Sequence, residues 1–252
     1  MQILMRNAFV KFGTQIGTCV YALMDCTATI MAGKTEDRLS TVMETDLGYG
    51  HQAAKFIFDI VVTGLGTILI FPIFLLLCIC VAIENKGNVF FVHMRIGRHG
   101  KPFPCYKFQT MVKDSEPVLQ EYLQNNPQAQ AEWAANFKLT DDPRVTRLGR
   151  ILRKTSLDEL PQIFNVLRGE MSLVGPRPIV QAEVAKYGKY IREYYMVRPG
   201  ITGVWQTHGR SDTTYEERVA MDTWYVRNWS MWLDLKCLAK TFGAVINKKG
   251  AY

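Results

Sequence analysis

Residues 60–83 read IVVTGLGTILIFPIFLLLCICVAI and carry no charged side chain. A soluble helix needs an apolar stripe and a polar face, but this run is apolar on every side, so it is a membrane segment. Pro72 falls near its middle, where the missing N–H and the ring free a preceding carbonyl and bend or break a helix. Two dispositions stay open on the residues alone. One is a kinked span. The other enters the bilayer, turns at Phe71 and Pro72 and leaves by the same face, with Lys55 before it and Lys86 after it held at one headgroup layer.

Residues 1–50 are apolar in tone but interrupted by Asp25 and several threonines, without clean periodicity or a cleavage site, and no role is assigned to them. Beyond the apolar run, residues 89–112 alternate β-branched and aromatic side chains around Gly97 and Gly100, which predicts a hairpin that also carries Arg95, Arg98, Lys101 and Lys107. Ser115 is the expected cap of surface helices interrupted at Pro127. Residues 213–246 predict two helices with Ser230 as the cap between them. In the second, Trp232, Leu235, Leu238, Phe242 and Val245 recur at helical spacing and read as a core stripe. The nearby Trp224, Tyr225, Trp229, Arg227, Lys236 and Lys240 make a lipid headgroup layer the alternative. The expected class is mainly α with a small β element, organised as residues 1–50, a membrane element over 51–86 and a catalytic domain over 87–252.

The 252 residues suffice to bury a core, and 30 basic against 23 acidic side chains give a net charge of +7, which favours anionic partners. No nucleic-acid partner is expected, because no groove-reading helix or aromatic platform accompanies the charge. The six cysteines, Cys19, Cys26, Cys78, Cys80, Cys105 and Cys237, lack metal-site spacing and read as reduced thiols of a cytoplasmic setting.

Between Arg144 and Arg177 the cations Arg144, Arg147, Arg150, Arg153, Lys154, Arg168 and Arg177 bracket the adjacent acids Asp158 and Glu159. Guanidinium forks grip phosphate oxygens bidentately. Ser156 with Glu159 matches a capping box, but Pro161 would then remove a hydrogen bond inside the helix; with Asp158 as the cap, the proline falls where its N–H is not needed. A carboxylate at that helix end is expected to be ionised at an anion site, a nucleophile poised beside phosphate. Glu159 points elsewhere and suits a base or a metal contact. In GPRP (175–178), Pro178 holds Arg177 extended.

The stretches YKFQTM (106–111), DPRVTRLGRILRKTSLDELPQIFNVLRGEMSLVGPRP (142–178) and RPGITGVWQTHGR (198–210), preceded by Lys55, Asp59 and the Pro-interrupted apolar run, resemble the bacterial sugar transferase family. These are the monotopic polyprenyl-phosphate phosphoglycosyl transferases, and the galactose- and glucose-phosphate transferases among them are the most similar. The resemblance runs from about residue 52 to the C-terminus. It implies a monotopic protein of the bacterial inner membrane, with a re-entrant helix-break-helix turning at Pro72, interfacial amphipathic helices and a catalytic domain facing the cytoplasm. The implied reaction moves hexose 1-phosphate from a UDP-sugar to undecaprenyl phosphate, releasing UMP and starting O-antigen, capsule or exopolysaccharide synthesis.

The course implied is ping-pong through a phosphosugar on Asp158, with Glu159 as partner acid, Mg2+ as cofactor and Asp158 and Glu159 as its contacts. Arg153 and Arg177 match phosphate-binding residues, and Lys107, Arg198 and Arg210 are the further basic candidates. A homodimer is a possible assembly. Two positions depart from the family pattern: Phe71 stands where a serine often precedes the proline, and Gln109 replaces a common arginine. An N-acetylated amino-sugar phosphate as the transferred group, and a membrane scaffold without activity, remain alternatives. Larger members carry membrane helices and a soluble domain ahead of the catalytic part, where this chain has about fifty residues.

Overall fold

A computed structural model describes residues 49–136, 139–208 and 213–246. The expectations placed on residues 1–48, including Cys19 and Cys26, lie outside the described residues, as does Arg210.

The apolar run belongs to one long helix, α1 (Tyr49–Glu84). The expected break is absent from its secondary structure: Pro72 sits inside the helix, which continues past it. A proline removes its own N–H bond and its ring crowds the preceding turn, which a helix accommodates by bending while flanking turns of Ile, Leu and Phe stay helical on both sides. One face of α1, with Lys55, Asp59, Thr63, Phe74, Cys78 and Val81, is buried against the rest of the chain. The other face exposes Ile57, Val61, Leu65, Ile68, Leu69, Phe71, Ile73, Leu76, Ile79 and Ile83.

After α1 the chain turns through Lys86 and Gly87, both at positive φ, into the predicted hairpin. Strands β1 (Phe90–Ile96) and β2 (Pro102–Phe108) pair antiparallel, with Phe91 opposite Lys107 and His93 opposite Cys105. Helices α2 (Ser115–Asn125) and α3 (Pro127–Asn136) follow; Ser115 is the first helical residue of α2 rather than its cap, a place held by Asp114. Helix α4 (Arg147–Thr155) starts with the Thr146 hydroxyl accepting from the Gly149 N–H, and Glu84 at the end of α1 accepts from the Leu148 N–H at 3.1 Å.

Ser156 then takes a left-handed conformation (φ 57°), and Leu157–Gln162 form a 3-10 turn ahead of the short helix α5 (Ile163–Leu167). Neither expected cap exists. Neither Ser156 before the turn nor Gln162 before α5 gives a side-chain cap bond, and Asp158 is the second residue of the turn. Pro161 is the fifth residue of that turn, where it forgoes one i→i−3 hydrogen bond and its ring fixes φ for the entry into α5.

Strand β3 (Ser172–Val174) pairs parallel with β4 (Gly200–Thr202) across a crossover that holds α6 (Val184–Tyr187) and α7 (Ile191–Met196). Helices α8 (Val204–His208), α9 (Tyr215–Arg227) and α10 (Met231–Ile246) complete the described chain, with the Ser230 hydroxyl accepting from the Leu233 N–H as predicted. The expected core stripe of α10 is core only in part: Leu238 packs against the cluster around Tyr225 and Cys237, while Trp232, Leu235 and Phe242 are exposed and Asp234 and Cys237 face inward. Helical spacing marks an apolar face without saying what covers it.

The core that positions the site joins α1 to the hairpin and the acid-bearing turn. Phe74 of α1 stacks among Phe90, Phe108 and Phe164 at centroid distances of 5.4–6.3 Å, with Cys78, Val81, Leu152 and Ile163 around them. Cys78, Cys80, Cys105 and Cys237 are free thiols.

Candidate active site

A cavity of about 1540 Å3 opens between β1, β2, the 3-10 turn and the segments after β3 and β4. Lys107, Arg153, Asp158, Glu159 and Arg177 all line it, so five of the sequence candidates, drawn from three separate stretches, meet there.

The two acids differ in their partners. Lys107 donates to Glu159 Oε1 at 2.6 Å, while Asp158 Oδ2 lies 3.8 Å from the same ammonium. Burial pushes the Asp158 carboxyl above the usual aspartate range and the Glu159 charge adds to that push, against the pull of Lys107 and Arg153. Burial opposes ionisation of Glu159 as well, but Lys107 and Arg177 outweigh it and hold that carboxyl below its usual value. A cap would have kept Asp158 low. The carboxyl instead is compensated by the Lys107 and Arg153 cations and by its own backbone N–H.

The cations sort by partner. Arg144 is held bidentately by Asp142 (2.7–3.2 Å), Arg150 lies near Asp141 (3.5 Å) and Arg168 near Glu170 (3.8 Å). Arg198, expected at a phosphate, does not line the cavity; its Nη2 donates to Asp59 at 3.2 Å, against α1. Arg153 and Arg177 form no ion pair among the described residues. Arg153 Nε donates to the Thr110 hydroxyl at 2.9 Å, and the Arg177 guanidinium lies 5.3 Å from the centre of the Trp205 ring.

The loop that carries Arg177 is pinned by its backbone. The Gly175 N–H donates to Thr202 O at 2.9 Å, Gly200 N–H to Pro176 O at 2.8 Å, and Arg95 to Pro178 O at 3.2 Å. Glycine is required at 200, since a Cβ there would stand 2.1 Å from Gly175 N. RPGITG is therefore the bed of the GPRP loop, and its arginine sits against Asp59 outside the cavity. Asp222, buried on α9, accepts from the Arg177 N–H and from the Tyr187 hydroxyl (2.7 Å); burial pushes its carboxyl up to about 6.

Sequence reasoning passed over Thr110, Trp205 and Asp222. Thr110 and Trp205 lie inside YKFQTM and RPGITGVWQTHGR, which carry the family resemblance, but their places beside Arg153 and Arg177, and that of Asp222, show only in the fold.

For a metal, Asp158 and Glu159 offer two adjacent carboxylates, one oxygen of which already serves Lys107. No group of three or more His, Cys, Asp and Glu gathers for a metal among the described residues. This donor set fits magnesium, which is commonly held by one or two carboxylates and completed by substrate phosphate and water.

Residues 50–248 match the bacterial sugar transferase family. An undecaprenyl-phosphate galactose phosphotransferase of Salmonella typhimurium is 51% identical over 198 residues, covering 79% of this chain and 41% of the relative. An uncharacterized sugar transferase of Haemophilus influenzae is 53% identical over 194 residues, with 77% and 41% covered. The exopolysaccharide production protein ExoY of Rhizobium meliloti is 48% identical over 199 residues, with 79% and 88% covered. The chain thus spans about two fifths of the length of the first two relatives. With the match reaching from the start of α1 through the cavity to the end of α10, the chain belongs to the bacterial sugar transferase family.

Proposed function

We propose that this protein transfers a hexose 1-phosphate, galactose or glucose phosphate, from a UDP-sugar to undecaprenyl phosphate at the cytoplasmic face of the bacterial inner membrane. The observation that carries the reading is Asp158, a carboxylate on the cavity wall with Arg153 and Arg177, neither of which forms an ion pair among the described residues. An anionic donor meets uncompensated charge there, and a carboxylate beside shielding cations can attack phosphorus.

Asp158 Oδ attacks the phosphorus that bears the sugar, a new P–O bond forms to the carboxylate, and the bond to UMP breaks. An oxygen of the lipid phosphate then attacks the same phosphorus, the diphosphate bond forms and the Asp158 carboxylate leaves. Arg153 and Arg177 bind the phosphate oxygens throughout. Lys107 keeps Glu159 ionised and screens Asp158 from it. Magnesium, held by Asp158, Glu159 and the donor phosphates, would neutralise charge on the departing phosphate.

The exposed apolar face of α1 suits lipid, and both of its ends are tied to one folded body. Lys55 pairs with Asp234 (2.5 Å) and Asp59 with Arg198 near the start; Glu84 and Asn85 bond Leu148 N–H and Gln109 O at the end. This favours a helix that enters and leaves by the cytoplasmic face over one that spans, and it brings the lipid acceptor to the cavity.

UMP release with undecaprenyl phosphate, Mg2+ and a panel of UDP-sugars tests the function. UMP from UDP-galactose or UDP-glucose is expected; release from an N-acetylated amino-sugar donor alone would change the group transferred. Binding to liposomes with no UMP from any donor would leave a scaffold.

A further inference from the structure

Most of the partnered arginines near the cavity face a carboxylate: Arg144 faces Asp142, Arg95 and Arg218 face Glu183, and Arg198 faces Asp59. The two that flank Asp158 are held differently. Arg153 is aimed by a hydroxyl and Arg177 by the face of an indole, both neutral. A guanidinium held by a carboxylate has lost much of its field toward a third anion, whereas one held by a neutral group keeps it. We propose that Thr110 and Trp205 are positioning residues that fix Arg153 and Arg177 in the cavity while leaving their charge available to the phosphates. This deepens the function proposed above and rests on it.

Both orienters are themselves fixed. The Thr110 carbonyl accepts from the Thr146 N–H at 3.0 Å, where α4 begins, and Gly149 lets α4 approach so closely that a Cβ would lie 2.2 Å from that carbonyl. Thr110 and Arg153 are thus held by the same contact between the hairpin's exit and α4. The Trp205 Nε1–H donates to the Thr213 hydroxyl at 2.7 Å, and Arg218, itself buried and engaged with Glu183, lies 5.1 Å from the same ring. The indole cannot swing without breaking that bond. Asp222 holds the Arg177 backbone, so main chain and side chain of this residue are set by different partners. A lysine at either arginine position would lose the effect, because a flexible ammonium lacks the fixed fork that the Thr110 hydroxyl aims and the planar, weakly hydrated cation that the indole face holds.

The test combines substitutions with two readouts, UMP release and the affinity for inorganic pyrophosphate by calorimetry. Thr110→Val and Trp205→Leu are each expected to weaken pyrophosphate binding and kcat/KM about tenfold, with Thr110→Ser and Trp205→Phe restoring most of it. In an Arg153→Ala background Thr110→Val should add less than about twofold, and in Arg177→Ala the same holds for Trp205→Leu. Equal losses with and without the arginine, or full affinity in Thr110→Val and Trp205→Leu at unchanged melting temperature, would overturn the proposal. The predicted pattern in pyrophosphate affinity with no UMP from the wild type would uphold the positioning and sink the transferase reading instead. Absence of both binding and turnover in the wild type would refute both.

Discussion

Lys107 Nζ lies 2.6 Å from Glu159 Oε1, and the same ammonium reaches Asp158 Oδ2 at 3.8 Å. One cation from β2 therefore lets two neighbouring acids share a partly buried wall. Glu159 titrates below its unfolded value of about 4.5, so its stabilising contribution is present above that value and is lost as pH falls through the lower folded one. Lys107→Met should abolish that acid-side dependence of stability. It should also move the acidic limb of the kcat/KM profile for UMP release up by about one unit or more. Lys107→Arg should keep the limb nearer its original place.

Asp158 carries the opposite cost, because burial disfavours its charged form. Asp158→Asn removes that cost along with the nucleophile. The variant is expected to lose turnover by at least about a thousandfold. At pH 7 its melting temperature should rise by about 2–4 °C, the shift that about 1 kcal/mol produces in a domain of this size. A lower melting temperature would contradict the strained setting of the acid.

Arg198 separates the structure's account from a count of charges. In the sequence it was one more cation near a glycine-rich stretch, and nothing local revealed that its partner, Asp59, lay 139 positions away in an apolar helix. Arg198→Met takes the guanidinium from a buried carboxylate that keeps the Leu173 N–H and the nearby Lys55, and should cost about 2–3 kcal/mol of stability. Folded protein at low temperature should still bind pyrophosphate with wild-type affinity, which calorimetry on the detergent-solubilised variant would check.

Gly200 tests the loop's bed. A Cβ placed 2.1 Å from Gly175 N must push the GPRP loop away, and overpacking of this kind costs about 1–3 kcal/mol. Gly200→Ala should reduce kcat/KM far more than Gly66→Ala, whose Cβ meets open space on α1 and whose melting temperature should not fall. Equal activity in the two variants would remove the need for close approach.

Asp222 makes a prediction in pH. Its folded value of about 6 lies above the unfolded 3.8, so its contribution is full below 3.8 and is lost as pH rises through about 6. The wild-type melting temperature should carry a falling component across that window. Asp222→Asn should flatten it, as thermal scans from pH 4 to 7 would read.

The parts of the molecule set by local pattern were readable from its sequence. The uncharged run gave α1, alternation around Gly97 and Gly100 gave the hairpin, and Ser230 capped α10. The acid pair was identified, but its local structure was misjudged: a left-handed Ser156 and a 3-10 turn stand where a capped helix was expected, because a six-residue turn has no periodicity to read. On α10 Leu238 of the stripe packs inward, while Trp232, Leu235 and Phe242 face out, since the pattern of an amphipathic helix is the same whether protein or lipid covers it. Thr110 and Trp205 acquire meaning only from arginines that the fold brings to them.

The covalent step at Asp158 is the centre of the proposed reaction. Protein mixed with UDP-galactose or UDP-glucose and Mg2+, without lipid acceptor, should release UMP in a burst and gain the mass of a hexose phosphate on the peptide that contains Asp158. Asp158→Asn should show neither. UMP release that requires undecaprenyl phosphate from the first turnover, with no adduct at any time, would contradict it.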